Sequence, residues 1–225
     1  MNASKTKNEK IRLFLVDDHA ILRQGMKQLL EREKDFVVCG EASGAADALA
    51  RLPASKADVA LVDLGLEGVG GLDLIKSLKH RLPKLSILVV SMFDESLYAE
   101  RALRAGAHGY IMKHEMIDQV VGALRRVADG NTYLSPAMSE RMLNKLSGPE
   151  TEASPLKGLS DRELQVFRLL GEGLKPAEIA EKIHLSVKTI ETYREHIKTK
   201  LGLDDASQLS QYAIASARSE QPSSR

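Results

Sequence analysis

Five places in the chain carry side chains that together could handle a phosphoryl group. Asp17 and Asp18 follow the apolar run Ile11 to Val16, and Asp63 follows the run ending at Val62. Ser91 follows the run ending at Val90, and Lys113 follows Gly109 to Met112. Carboxylates gathered at adjacent strand ends repel one another unless a cation sits among them. Hard oxygen ligands suit Mg2+, which accepts one or two carboxylates and keeps room for phosphate oxygens. A carboxylate can also accept phosphate as an acyl phosphate. Phosphoryl transfer otherwise needs charge neutralisation and positioning. Mg2+ and an ammonium such as Lys113 could neutralise the added charge, and the Ser91 hydroxyl could bond a phosphoryl oxygen and move with it. The plain alternative is that solvated acids merely end strands. Three acids, with a Ser and a Lys at the other strand ends, weigh against it.

The elements that must position these residues read clearly. Apolar runs at Ile11 to Val16, Phe36 to Cys39, Asp58 to Val62, Leu85 to Val90 and Gly109 to Met112 alternate with helical spacing. Ile21, Leu22, Met26, Leu29 and Leu30 mark the first helix, and an Ala-rich helix from Ala45 ends at Pro53. Leu72, Ile75 and Leu78 mark the third, Leu97 to Ala105 the fourth, and Ile117, Val120, Val121, Leu124 and Val127 the fifth. Five strand-then-helix units predict a doubly wound parallel sheet with helices on both faces. Continuous apolar runs are expected of strands buried on both faces. Sites on such sheets lie beyond the C-terminal strand ends, where the five chemical positions fall.

The chain is 225 residues long, with 32 basic against 31 acidic residues, a net charge near +1. That balance excludes a protein acting through bulk positive charge, so any nucleic-acid contact must be a local patch. One cysteine, Cys39, cannot form an internal disulfide and reads as a small core residue. Structural zinc needs more clustered Cys and His. No stretch is apolar for the length of a membrane span, and the polar start MNASKTKNEK lacks a secretory core. A cytoplasmic protein is expected.

The motifs VDDH at Val16 to His19, LVDLGLEGVGG at Leu61 to Gly71, VVS at Val89 to Ser91 and GYIMK at Gly109 to Lys113 resemble the receiver domain of bacterial response regulators. The resemblance spans about Lys10 to Gly130. It implies a flavodoxin-like sheet of order 2-1-3-4-5, with Asp63 as phospho-acceptor. It also implies Mg2+ held by Asp17, Asp18, Asp63 and the Gly65 carbonyl, Ser91 and Tyr110 as a switch pair, and Lys113 as the phosphate-binding lysine. Glu67 departs from the family, which usually has Pro there. Gly65, Gly68, Gly70 and Gly71 make the surrounding loop look loose.

After Leu134 the pattern changes. Ser135-Pro136 opens a short helix through Leu146, and Ser147 to Pro155 has linker composition. A compact helical segment follows. It has a capping box at Ser160 to Glu163, a short helix opened by Pro176, a turn at His184-Leu185 and a helix capped by Ser186 and stopped by Gly202. A last helix covers Ala206 to Ala217. Ile190, Tyr193, Ile197 and Leu201 share one face of the long helix. Lys188, Thr192, Glu195 and Thr199 lie opposite, flanked by Glu191 and Lys198. This is a helix-turn-helix pattern. Leu159 to Glu163, Gly173-Leu174, Glu178 to Ala180, Ser186 to Ile190 and Lys200 to Leu203 resemble the LuxR-type DNA-binding domain, from Lys157 to about Ala215.

Together the two resemblances look like the NarL/FixJ family of two-component response regulators. They imply a receiver over residues 10–131, a linker with a short helix over 132–156 and a small all-α DNA-binding domain over 157–217. Residues 218–225 read as a disordered tail. They imply a sensor histidine kinase as donor and double-stranded DNA as target, with Glu191, Thr192 and Glu195 where the family reads bases. Lys188, Thr189, Arg194 and Lys198 are further phosphate or base candidates. A homodimer when active, and no membrane contact, are expected. The alternative is a regulator of the same architecture that works without phosphate, supported by Glu67 and its glycine-rich loop. A phosphohydrolase would need a substrate pocket motif that the chain lacks. A protein-binding adaptor would show no salt-sensitive DNA binding.

Overall fold

The computed structural model describes residues 10–147 and 154–220. The chain divides into two compact units, Met1–Ser139 and Glu140–Arg225.

The first unit runs β1 (Ile11–Val16), α1 (Ala20–Leu30), β2 (Phe36–Ala42), α2 (Ala45–Ser55), β3 (Val59–Val62), α3 (Gly71–Arg81), β4 (Ser86–Ser91), α4 (Glu95–Ala105), β5 (Gly109–Met112) and α5 (Met116–Ala128). The strands form one parallel sheet in the order β2-β1-β3-β4-β5. Leu15 pairs with Leu61, and Leu61 with Leu88, so the central strands are in step and their C-terminal ends lie side by side. Alternation sends Leu13, Leu15, Leu61, Leu88, Val90 and Ile111 to one face, against Met26 and Leu30 of α1 and Val120, Leu124 and Val127 of α5. The helices α2, α3 and α4 pack in series on the other. Every residue of β3 and β4 is buried, as both-face coverage requires.

Two element ends in this unit need correction. Strand β2 does not end at Cys39 but continues to Ala42. A bulge at Cys39 shifts the register, so that Leu13 pairs with Val38 but Phe14 with Gly40. Glycine is required at position 40 because a Cβ there would lie 2.5 Å from the Phe14 ring. Helix α2 does not stop at Pro53 but reaches Ser55 and ends on left-handed Lys56, with φ of 53°. Pro53 falls in the last turn, where the Ser55 hydroxyl donates to the Leu52 carbonyl at 2.7 Å and helps close the helix.

The helix α6 (Pro136–Ser147) starts as expected. The Ser135 hydroxyl accepts from the Met138 amide at 3.0 Å and donates to Glu95 at 2.6 Å. The linker residues 148–153 lie outside the described residues.

The second unit holds α7 (Asp161–Gly171), α8 (Pro176–Lys182), α9 (Val187–Leu201) and α10 (Ala206–Glu220). Its core is Leu164, Phe167, Ile179, Ile190, Ile197, Leu209 and Ala213, with Phe167 edge-on to Tyr212 at 5.7 Å. The capping box is present: the Glu163 amide donates to Ser160 Oγ, and the Ser160 amide donates to Glu163. The expected tail from 218 is corrected in part, since α10 runs on to Glu220. A Cβ on Gly171 would come within 2.7 Å of the Ala213 carbonyl and 3.1 Å of Ala217, a close approach that fastens the end of α10 to α7. Residues 221–225 lie outside the described residues.

Candidate functional site

The sheet brings the acidic residues together because β1 and β3 are neighbours that end in step. Asp17 and Asp63 are 3% and 4% exposed, and Asp18 is half-buried. Ligand-competent atoms of Asp17, Asp18, His19 and Asp63 lie within 4.8 Å of one another. In the sequence His19 reads only as the last residue of the VDDH motif, with no ligand role; its place directly after the acidic pair is the available signal.

Lys113 begins a 3-10 turn directly after β5 and reaches back over the sheet end. Its Nζ donates to Asp17 Oδ2 at 2.8 Å and to Asp63 Oδ2 at 2.7 Å, with the side chain 6% exposed. Burial pushes the Asp63 carboxyl above the usual aspartate range, against the pull of Lys113 and the Gly65 amide. Burial acts downward on the Lys113 ammonium, but Asp63 and Asp17 outweigh it and hold the amine above its ordinary value. Remaining oxygens are oriented by backbone: the His19 amide donates to Asp17 Oδ1 at 2.8 Å and the Gly65 amide to Asp63 Oδ1 at 3.0 Å. It is thus the Gly65 amide whose bond to Asp63 is seen. Asp18 Oδ1 is buried and accepts no hydrogen bond, although His19 Nδ1 lies 2.8 Å away. A buried carboxylate oxygen grouped with other carboxylates has the chemistry of a hard-cation ligand.

The loop after Asp63 is anchored rather than loose. Leu64 and Leu66 are buried, the Gly71 amide donates to the Leu64 carbonyl, and a Cβ on Gly71 would lie 2.5 Å from the Asp63 carbonyl. Glu67 is exposed and lies outside the acidic cluster.

Ser91 is fully buried at the end of β4, and its Oγ accepts from the Phe93 amide at 3.2 Å. The Tyr110 hydroxyl donates to the Phe93 carbonyl at 2.7 Å. Burial holds that phenol well above its ordinary pKa, so it is a neutral donor. Ser91 and Tyr110 are therefore linked both directly, by a hydrogen bond between their side chains, and through one residue of the β4–α4 loop. The sequence gives no hint of Phe93's part, since a backbone bridge leaves no side-chain signature.

In the second unit the turn before α9 contains left-handed His184, with φ of 56°, and Ser186 caps the helix through the Thr189 amide. Lys188, Thr192, Glu195 and Thr199 are exposed, while Ile190 and Ile197 are buried. Thr189 is half-buried, its hydroxyl 2.8 Å from Ser186 Oγ. Arg194 leans inward at 15% exposure and donates twice to Glu191, at 2.7 and 2.9 Å. Lys198 pairs with Glu195 at 2.9 Å. Lys188 makes no ion pair among the described residues.

Residues 13–125 match the response regulator receiver domain, and residues 157–213 match the bacterial regulatory proteins of the luxR family. The chain is 34% identical to the DNA-binding transcriptional activator DevR/DosR of Mycobacterium tuberculosis over 94% of its own length and 98% of that protein's. The chain is a response regulator of the NarL/FixJ family. It is also 35% identical to the oxygen regulatory protein NreC of Staphylococcus aureus, covering 91% of this regulator and 97% of that one. Among solved structures it resembles the response regulator RcsB of Salmonella typhimurium, with a TM-score of 0.71 and 28% identity over 92% of this chain and 98% of that one. RcsB bound to a promoter with the phosphomimetic BeF3- gives a TM-score of 0.69 at 27% identity, over 92% of this chain and 100% of that one. This response regulator is a DNA-binding protein of two-component type and not an enzyme. No helix among its described residues is long and apolar enough to cross a membrane.

Proposed function

We propose that this regulator is switched by phosphorylation of Asp63, with a sensor histidine kinase as donor, and that the switch changes how α9 engages double-stranded DNA. The observation that carries the reading is the placement of Asp63. It is a nearly buried carboxylate at a strand end that shares the Lys113 ammonium with a second carboxylate, Asp17. An Asp63 oxygen attacks the phosphorus of a phosphohistidine; the O–P bond forms, the P–N bond breaks, and the imidazole nitrogen leaves with the electron pair and takes a proton from solvent. Asp17, Asp18 and Asp63 fit Mg2+, with the Gly65 carbonyl as the family's further ligand. When bound, the ion neutralises the phosphoryl oxygens. Lys113 shifts from carboxylate to phosphoryl oxygen. Ser91 turns its hydroxyl to the phosphoryl group and gives up the Phe93 amide. Phe93 then moves, and Tyr110, bonded to the Phe93 carbonyl, moves with it.

On the output side, exposed Lys188, Thr192 and Glu195 face the groove, with Thr189 and Glu191 beside them. Arg194 and Lys198 reach phosphates only by opening their pairs with Glu191 and Glu195. So few free cations favour two copies on a two-fold symmetric site. Acting on the chromosome, the protein works in the cytoplasm. Glu67, the support for a phosphate-independent regulator, is exposed and outside the acidic cluster. The test is intact-protein mass after incubation with Mg2+ and acetyl phosphate. Wild type gains one phosphoryl group and Asp63→Asn gains none; no gain in wild type overturns the reading.

A further inference from the structure

We propose that Arg23 is a positioning residue of the acidic site, holding the peptide that joins Asp17 to Asp18 and so aiming the carboxylates that take the cation. Arg23 lies in the first half of α1 with its side chain 17% exposed. Its Nη1 donates to the Asp17 carbonyl at 2.5 Å, and its Nε donates to Glu41 Oε2 at 3.3 Å. Glu41 is fixed from its other oxygen by Lys27 at 3.0 Å. The Asp17 amide donates to the Ala42 carbonyl at 3.2 Å. Both ends of Asp17 are thus tied to β2, the amide by backbone and the carbonyl through the Arg23–Glu41 bridge. Fixing that carbonyl fixes the plane shared by Asp17 and Asp18, and with it the direction in which each side chain leaves the chain.

The two cations of the site differ in what they touch. Lys113 bonds the carboxylates themselves and competes with any incoming cation. Arg23 bonds a carbonyl, and its charge is offset by Glu41. It therefore stays in place when a cation enters. Its stem also lines the wall beneath the site with Met26, Leu61 and Val90. Groups that orient metal ligands from behind typically change metal affinity by roughly 10- to 100-fold when removed.

The inference rests on the reading of the acidic cluster as a Mg2+ site. Its test is calorimetric Mg2+ titration of the full chain, which needs no phosphorylation. Arg23→Met keeps the stem and removes the guanidinium; its Mg2+ dissociation constant should rise roughly tenfold or more. Arg23→Lys should recover part of the loss, and Glu41→Gln should show a smaller one. In acetyl phosphate labelling, the half-saturating Mg2+ concentration should rise more than the saturating rate falls. Wild-type Mg2+ affinity in a folded Arg23→Met overturns the proposal. Should Arg23→Met not fold, wild-type affinity in both Arg23→Lys and Glu41→Gln overturns it equally. A wild type that binds Mg2+ but takes no phosphoryl group sinks the phosphorylation reading and leaves the Arg23 result standing. A wild type that binds no Mg2+ overturns both.

Discussion

Lys113 makes the strongest demand on the site, because its ammonium is the counter-charge to two nearly buried carboxylates. Removing one partner of a buried charge group leaves the rest uncompensated, at about 3–5 kcal/mol. Lys113→Met should therefore lose about 3 kcal/mol in urea unfolding with EDTA present. Mg2+ should restore more stability to this variant than it adds to wild type, because the ion no longer competes with an ammonium. Equal Mg2+ stabilisation in both would argue against Lys113 and the cation sharing one place. At this scale the sequence was informative wherever a strand run stopped at a chemical residue: Asp17, Asp18, Asp63, Ser91 and Lys113 all stand at the sheet end. What it did not reveal were partners without a pattern of their own. The Phe93 backbone bridge and the Arg23 contact with the Asp17 carbonyl depend on how loops and helices come back to the sheet.

Helices and strands set tolerances that substitutions can probe. Helix α3 starts so close to Asp63 that a Cβ on Gly71 would fall 2.5 Å from the Asp63 carbonyl and the Leu64 Cα. Gly71→Ala should cost about 1–3 kcal/mol of stability by overpacking. It should also slow acetyl phosphate labelling, since the strain enters at the Asp63 peptide. Labelling and stability both at wild-type level would show that the loop can yield. In the second unit, Glu163 ties the first turn of α7 to Lys200 at the end of α9. Burial works against the ionised Glu163 carboxylate, but Lys200 and the Ser160 amide outweigh it and hold its pKa below the ordinary 4.5. The ionised form thus contributes stability that is full above that ordinary value and is lost as pH falls through the lower folded one. Amide protection in the first turn of α7, after division by the intrinsic exchange rate at each pH, should fall over that acid window in wild type and vary little there in Glu163→Gln. Element type was legible for the strands and α-helices, because apolar runs and helical spacing alternate, but not for the 3-10 turns at Lys113–Glu115 and Pro155–Gly158. Element ends were less so. Ending β2 at Cys39 missed a bulge whose signal is only Gly40 against Phe14, and ending α2 at Pro53 overlooked that its last turn still closes.

The whole molecule joins a receiver domain to a luxR-family DNA-binding domain through α6 and a linker. Its near-neutral charge makes the two jobs depend on few residues. Arg194 and Lys198 are both paired with acids on α9, so on the proposed reading DNA affinity is expected to depend on a second copy or on a change elsewhere. The direct measurement is affinity for a duplex recovered from a random pool by in-vitro selection with acetyl phosphate-treated protein. Fluorescence anisotropy would compare wild type and Asp63→Asn, each with Mg2+, with and without acetyl phosphate, at fixed salt. Acetyl phosphate should shift the wild-type dissociation constant and leave that of Asp63→Asn unmoved. Equal binding in all four conditions would contradict this expectation, and would mean that this regulator reads DNA without consulting Asp63.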